Sequence, residues 1–88
     1  MFVAIIHEIH DRDLFNEKVD SMPPPPDGLL RHWALNSADL TRAVCLWEGP
    51  SVESVRDYID ACLEPASTQT YWPVHEEFHV GLPAQQLA

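Results

Sequence analysis

Histidines are the residues of this chain whose chemistry is most distinctive, and there are five of them among 14 acidic side chains. They are His7, His10, His32, His75 and His79. Imidazoles surrounded by carboxylates suit divalent nickel, copper or zinc. A histidine is also the side chain best suited to act as a general base near neutral pH. Which use applies depends on which histidines the fold brings together.

Two of the histidines interrupt otherwise apolar predicted strands. His7 lies within FVAIIHEI and His32 within LLRHWAL, where a polar side chain costs free energy unless it has a partner. Glu48 ends the next strand, which we expect to lie between the other two. We therefore predict His7, His32 and Glu48 as ligands of a divalent metal ion, nickel or zinc. The alternative is that both histidines are satisfied core or interface side chains and that Glu48 is a solvated strand end.

The other three histidines depend on local structure that their spacing leaves open. His7 and His10 are three residues apart at a strand end, so they face opposite sides unless the chain has already turned. His75 and His79 have the i, i+4 spacing of a helical metal pair, but on a strand they would stand ~13 Å apart. The tail, residues 75–88, lacks a clear period and suits either a short helix or a swapped arm.

Six elements must position these side chains. The first strand is β-branched and aromatic, with apolar residues on both of its faces. The prolines at 23–26 end the first helix, because proline lacks the N–H that a helix needs. Pro73 marks the last strand as an edge or a bulge. The predicted elements are strands at residues 2–9, 29–35, 42–47 and 70–74, a helix that begins near Asp11 or Asp13, and a helix that Ser51 caps and Pro65 closes.

The order of these elements, β-α-β-β-α-β, predicts an α+β ferredoxin-like fold. Right-handed crossovers place both helices on one face of an antiparallel four-stranded sheet in the order 4-1-3-2. The strands are nevertheless apolar on both sides, and a bare apolar face is not tolerated on a monomer. A two-fold pair that packs the bare faces together solves this problem. We therefore predict one domain, residues 1–88, that forms a homodimer of the dimeric α/β-barrel kind.

Composition excludes some partners. The net charge is −9 and there is no stripe of Lys or Arg, so a nucleic-acid partner is not expected. The apolar run at the N-terminus is too short to span a bilayer and has no cationic region before it, so neither a membrane partner nor a leader is expected. Cys45 and Cys62 lack a C-x-x-C spacing and predict free thiols in a reducing, cytoplasmic setting.

The segment LLRHWALNSADLTRAVCLWEGPSVESVRDYI resembles a stretch of small dimeric α/β-barrel proteins of actinobacteria, including the nickel-binding ferredoxin-like family. The likeness lies in residues 45–48 (CLWE) and in residues 49–51 (GPS), which open the second helix. It implies the barrel fold and points to histidines near the end of the first strand, a place that His7 occupies. The prolines at 23–26 and the tail do not match that family.

Barrel dimers of this plan also include cofactor-free monooxygenases, cyclases and isomerases that act on small molecules. Such enzymes need an apolar pocket with a few polar groups, and His7 or His32 would be the general base. Aromatic side chains that suit the lining of such a pocket are Trp33, Trp47, Tyr71 and Trp72. The same aromatics equally suit a packed core. A dimer without any site is the third alternative.

Overall fold

The computed structural model describes residues 1–87 and has the predicted order of elements. The elements are β1 (Phe2–Ile9), α1 (Arg12–Asp20), β2 (Leu30–Asn36), β3 (Arg42–Glu48), α2 (Val52–Leu63) and β4 (Ser67–Pro73). All strand pairs are antiparallel, and the sheet order is β2-β3-β1-β4. The α+β ferredoxin-like arrangement is therefore confirmed. Neither helix in this part of the chain is long and apolar enough to cross a membrane.

Both helices begin at residues whose side chains cap them. The Asp11 carboxylate accepts a hydrogen bond from the Leu14 N–H at 3.0 Å, so Asp11 rather than Asp13 is the cap of α1. The Ser51 hydroxyl accepts from the Ser54 N–H at 3.1 Å at the start of α2. Since each cap satisfies a backbone N–H that has no partner within the helix, both boundaries follow from the local sequence.

The edge strand β4 is longer than predicted. It begins at Ser67 instead of residue 70, because Ser67 and Thr68 continue the pairing with β1 as far as Ile9. Pro73 is the last residue of this strand, which lies at the edge of the sheet as the proline indicated. Gln69 is thereby placed in the ladder directly opposite His7.

The hydrophobic core fills the space between the helices and one face of the sheet. Val3 and Ile5 of β1 are fully buried in this core. The other buried members include Cys45 and Trp47 of β3, Phe15 of α1, and Val55, Ile59 and Leu63 of α2. Both helices therefore cover the same face, as the crossover rule requires.

The face of the sheet opposite the helices, called here the open face, is also apolar, although Phe2, Leu46 and Glu48 on it are buried. Cross-strand pairing places Phe2, Ala4 and Ile6 of β1 on it, opposite Glu48, Leu46 and Val44 of β3. The exposed apolar side chains there are Trp33 (39 % exposed), Leu35 (63 %), Val44 (36 %) and Trp72 (41 %). Residues 74–87 contain neither helix nor strand, so the short helix suggested for the tail is absent from the described residues.

Candidate functional site

A cavity of about 450 Å³ lies between α1 and the edge of the sheet formed by β2 and β3. Phe15 and Val19 of α1 and Met22, just beyond its end, form one wall, while His7 and Cys45 contribute to its floor. The cavity opens where it does because β2 is largely exposed, whereas the neighbouring strands β1 and β3 are buried under the helices. Its size falls in the usual range of small-molecule sites.

His7 is buried in the floor of this cavity, with 2 % of its surface exposed. The Phe15 ring meets its imidazole edge-on, with ring centroids 6.1 Å apart. Burial lowers the pKa of His7 below the usual 6.5, although the Gln69 hydrogen bond and the Asp60 charge oppose this shift. The imidazole is therefore neutral at pH 7, with one ring nitrogen that donates and one that accepts.

A chain of hydrogen bonds from Asp60 decides which nitrogen of His7 carries the proton. The Gln69 amide donates from Nε2 to Asp60 Oδ1 at 3.0 Å, because a carboxylate only accepts. The amide oxygen Oε1 then faces His7 Nδ1 at 3.3 Å, so Nδ1 carries the hydrogen. The other nitrogen, Nε2, has a free lone pair and lies 3.2 Å from Cys45 Sγ.

Two hydroxyl groups support this chain. The Tyr71 O–H donates to Asp60 Oδ1 at 2.6 Å, and burial together with this bond raises the pKa of Tyr71. The Ser67 hydroxyl donates to Gln69 Oε1. Both hydroxyls donate, so Asp60 Oδ1 and Gln69 Oε1 act as acceptors in these bonds too. The bonds therefore reinforce the direction of the chain.

Cys45 is a neutral thiol rather than a nucleophile. Burial raises its pKa to about 11, against the weaker influence of the Arg31 charge. Its S–H is then the hydrogen that His7 Nε2 accepts. Cys45 and Cys62 are both free, as predicted.

His32 and Glu48 form a separate pair. His32 is the extra residue of a β-bulge, since Arg31 pairs with Trp47 and Trp33 with the very next residue, Leu46. The His32 Nε2 atom lies 2.8 Å from Glu48 Oε1, although His32 also borders the cavity. Two of the three predicted ligands, His32 and Glu48, therefore lie in direct contact with each other.

The tail folds back onto the same carboxylate. The N–H groups of Gln86 and Leu87 each donate to a different oxygen of Glu48, both at 3.0 Å. Burial alone would raise the pKa of Glu48, but the donors on Gln86, His32 and Leu87 together outweigh it, so the pKa lies below 4.5. Glu48, only 2 % exposed, holds its charge by accepting these bonds.

The three predicted metal ligands are not brought together as one set. In the pairing of β1 with β3, His7 lies opposite Ala43 and Glu48 lies opposite Phe2. Because Phe2 is five residues from His7 along β1, an odd number, the side chains of His7 and Glu48 lie on opposite faces of the sheet. Within residues 1–87 no group of three His, Cys, Asp or Glu side chains could hold a metal ion. The nickel or zinc site therefore stays a prediction that nothing in this geometry favours.

The remaining histidines make local contacts. His10 Nε2 lies against the Thr68 hydroxyl. His75 Nδ1 accepts from the N–H groups of Glu77 and Phe78. The i, i+4 arrangement proposed for His75 and His79 needs a helix that this stretch does not form.

Sequence reasoning missed Gln69 and Asp60, which orient His7. Gln69 and Tyr71 are two apart on β4, and this spacing places both on the helix-facing side of the sheet. An amide and a phenol at such positions need partners, and Asp60, next to the core residue Ile59, supplies one for each. The predicted strand began at residue 70 and so left Gln69 outside the sheet, whereas β4 extends back to Ser67 and pairs Gln69 with His7.

Comparison of the chain with protein families, characterised proteins and solved structures found no match in any of the three. The resemblance of residues 45–51 to the small dimeric barrels therefore stays a prediction, while the class of fold rests on the structure. What the structure defines is an α+β domain with a neutral histidine in the floor of a cavity.

We expect the His7 ring to titrate below pH 6.5, because burial disfavours the imidazolium. Below pH 6.5 the unfolded chain binds a proton on this ring more readily than the folded chain does. The contribution of the buried neutral ring to the free energy of unfolding is therefore complete above pH 6.5 and is lost as the pH falls below that value. Asp60→Asn should lower the pKa of His7 further, since it removes a charge that raises it. Asp57→Asn, on the exposed side of the same helix, is the control and should leave it unchanged. NMR titration of the ring protons measures this, and a midpoint at or above 6.5 contradicts the assignment.

We expect Glu48→Gln to release the tail, because an amide offers one acceptor oxygen where the carboxylate offers two charged ones. The loss should be about 1–3 kcal/mol in the free energy of unfolding, the usual size for hydrogen bonds to a charged group. Amide hydrogen exchange at Gln86 and Leu87 should accelerate. Glu76→Gln, in the exposed part of the tail, is the matched control. Unchanged exchange in Glu48→Gln would show that other contacts hold the tail.

Proposed function

We propose that this chain is a cofactor-free enzyme that acts on a small molecule in the cavity, with His7 as the general base. The observation that carries the proposal is a buried, neutral imidazole in the floor of a cavity, with its proton fixed on Nδ1 by the Gln69 amide. The accepting nitrogen, Nε2, is occupied only by a thiol, which is a weak donor. A substrate with a more acidic hydrogen replaces that contact at little cost.

The proton transfer follows from the same contacts. A substrate O–H, or a C–H next to a carbonyl, gives its proton to His7 Nε2, and the imidazole becomes an imidazolium. Its Nδ1–H stays bonded to Gln69, and the nearby Asp60 charge stabilises the cation that forms. Return of the proton to another substrate atom leaves the enzyme unchanged. The reaction class that this arrangement supports is isomerisation or ring closure by proton transfer.

Deuterium incorporation into 2-tetralone in D₂O tests the base without knowledge of the natural substrate. This ketone has acidic C–H groups beside its carbonyl and is small enough for the cavity. Wild-type protein should accelerate the exchange, and His7→Gln should reduce this acceleration by about 10²-fold or more, the usual contribution of a general base. His10→Gln removes an exposed histidine from the end of the same strand and should change nothing.

Asp60→Asn keeps the imidazole and removes the charge that favours its protonated form, so exchange should slow by a smaller factor than in His7→Gln. Circular dichroism of each variant controls for unfolding. Equal exchange rates for wild type and folded His7→Gln, or for wild type and protein-free buffer, would refute the proposed base.

We also propose that the chain forms a homodimer through its open face. Exposed Trp33, Leu35, Val44 and Trp72 support this, because four large apolar side chains on one face of a sheet leave much apolar surface in water. Leu35→Glu places a charge on that face, at the most exposed of these four side chains, and should convert a dimer into a monomer in analytical ultracentrifugation at micromolar concentration. Val80→Glu, at a fully exposed tail residue, should leave the dimer intact. A wild-type protein that sediments as a monomer throughout would contradict the proposal.

A further inference from the structure

One of the residues that line the cavity, Trp47, has a hydrogen-bond donor that the proposed proton transfer does not use. Trp47 lines the cavity and is 3 % exposed, and its indole N–H is the one buried side-chain polar atom within residues 1–87 that has no hydrogen-bond partner. Such a donor has lost water without gaining an acceptor, which is unfavourable. A ligand that supplies an acceptor atom removes that cost.

A positively charged residue is the neighbour of Trp47 in the sheet. Arg31 of β2 is the cross-strand neighbour of Trp47 and also lines the cavity. The bulge at His32 keeps Arg31 on this face while the following residue, Trp33, turns to the open face. Arg31 forms no ion pair in the described part of the chain, where the two ion pairs are His32–Glu48 and Arg56–Asp57.

The charges of the cavity differ from those of the protein as a whole. The chain has 14 Asp and Glu against 5 Lys and Arg, yet the cavity lining contains Arg31 and no carboxylate. An anion that would be repelled by most of the surface therefore meets a positive charge here. The rest of the lining is mainly apolar and aromatic, including the rings of Phe15 and Trp47.

We propose that the cavity binds a mainly apolar, aromatic carboxylate, whose oxygens accept from the Trp47 N–H and pair with the Arg31 guanidinium. This inference rests on the proposed function, because it names the substrate class of the same cavity. The planar guanidinium is matched to a carboxylate, and a single indole donor satisfies one further oxygen lone pair. The ring of the ligand would then lie over the apolar floor, within reach of His7.

The test compares two probes of the same shape, 2-naphthoate and its neutral amide, 2-naphthamide. Binding is followed by ¹H–¹⁵N NMR at the indole N–H of Trp47, which Trp47→Phe assigns among the three tryptophans. Naphthoate should bind about fivefold more tightly than naphthamide, the size expected for an ion pair at a partly exposed site, and should shift the Trp47 signal. Arg31→Gln should abolish the difference, while Arg42→Gln, at an exposed arginine on β3, should preserve it.

The outcomes separate this inference from the proposed function. Equal binding of both probes at the Trp47 signal overturns the carboxylate class but leaves a small-molecule cavity in place. A preference for naphthoate that persists in Arg31→Gln overturns the role of Arg31. Binding of neither probe, with no shift at Trp47, counts against both the carboxylate and the cavity as a binding site.

Discussion

The site depends on the Asp60 carboxylate, a group that accepts hydrogen bonds and cannot donate them. Its position on α2 forces the Gln69 amide to present nitrogen to Asp60 and oxygen to His7. The imidazole must then donate from Nδ1, and its Nε2 lone pair is left for the Cys45 thiol or for a ligand. The Asp60 charge on α2 thus determines, through Gln69 of β4, which ring nitrogen of His7 on β1 carries the proton.

Two buried imidazoles are satisfied in opposite ways in this small domain. His7 is kept neutral under the helices by an amide and a thiol, whereas His32 has a carboxylate partner, Glu48, which also holds the tail by two backbone N–H groups. A neutral base is useful for proton transfer, while the Glu48 carboxylate is engaged by three nitrogen groups, two of them N–H groups of the tail. The same contrast separates the cavity, where chemistry is proposed, from the Glu48 contact, which holds the fold together.

Much of the fold could be predicted from the sequence, because its boundaries are local. Caps, prolines and alternating apolar residues gave the order of elements, the bounds of β1 and the edge position of β4. The pairing of His32 with Glu48 was also within reach, since both lie on neighbouring strands. The partners of His7 were not, because they depend on the register of β4 and on which side of α2 meets it. The separation of His7 from Glu48 likewise depends on how β1 and β3 are aligned. The alternation of apolar residues within a single strand does not determine that alignment.

The proposed function requires that His7 is a neutral imidazole protonated on Nδ1, with an unprotonated Nε2 that accepts from the Cys45 thiol. ¹⁵N NMR of the histidine side chains at pH 7.5 measures this directly, because protonated and unprotonated ring nitrogens have well-separated chemical shifts. We predict that His7, assigned by His7→Gln, shows one proton on Nδ1 and an unprotonated Nε2. A proton on Nε2, or a doubly protonated ring at that pH, would contradict it.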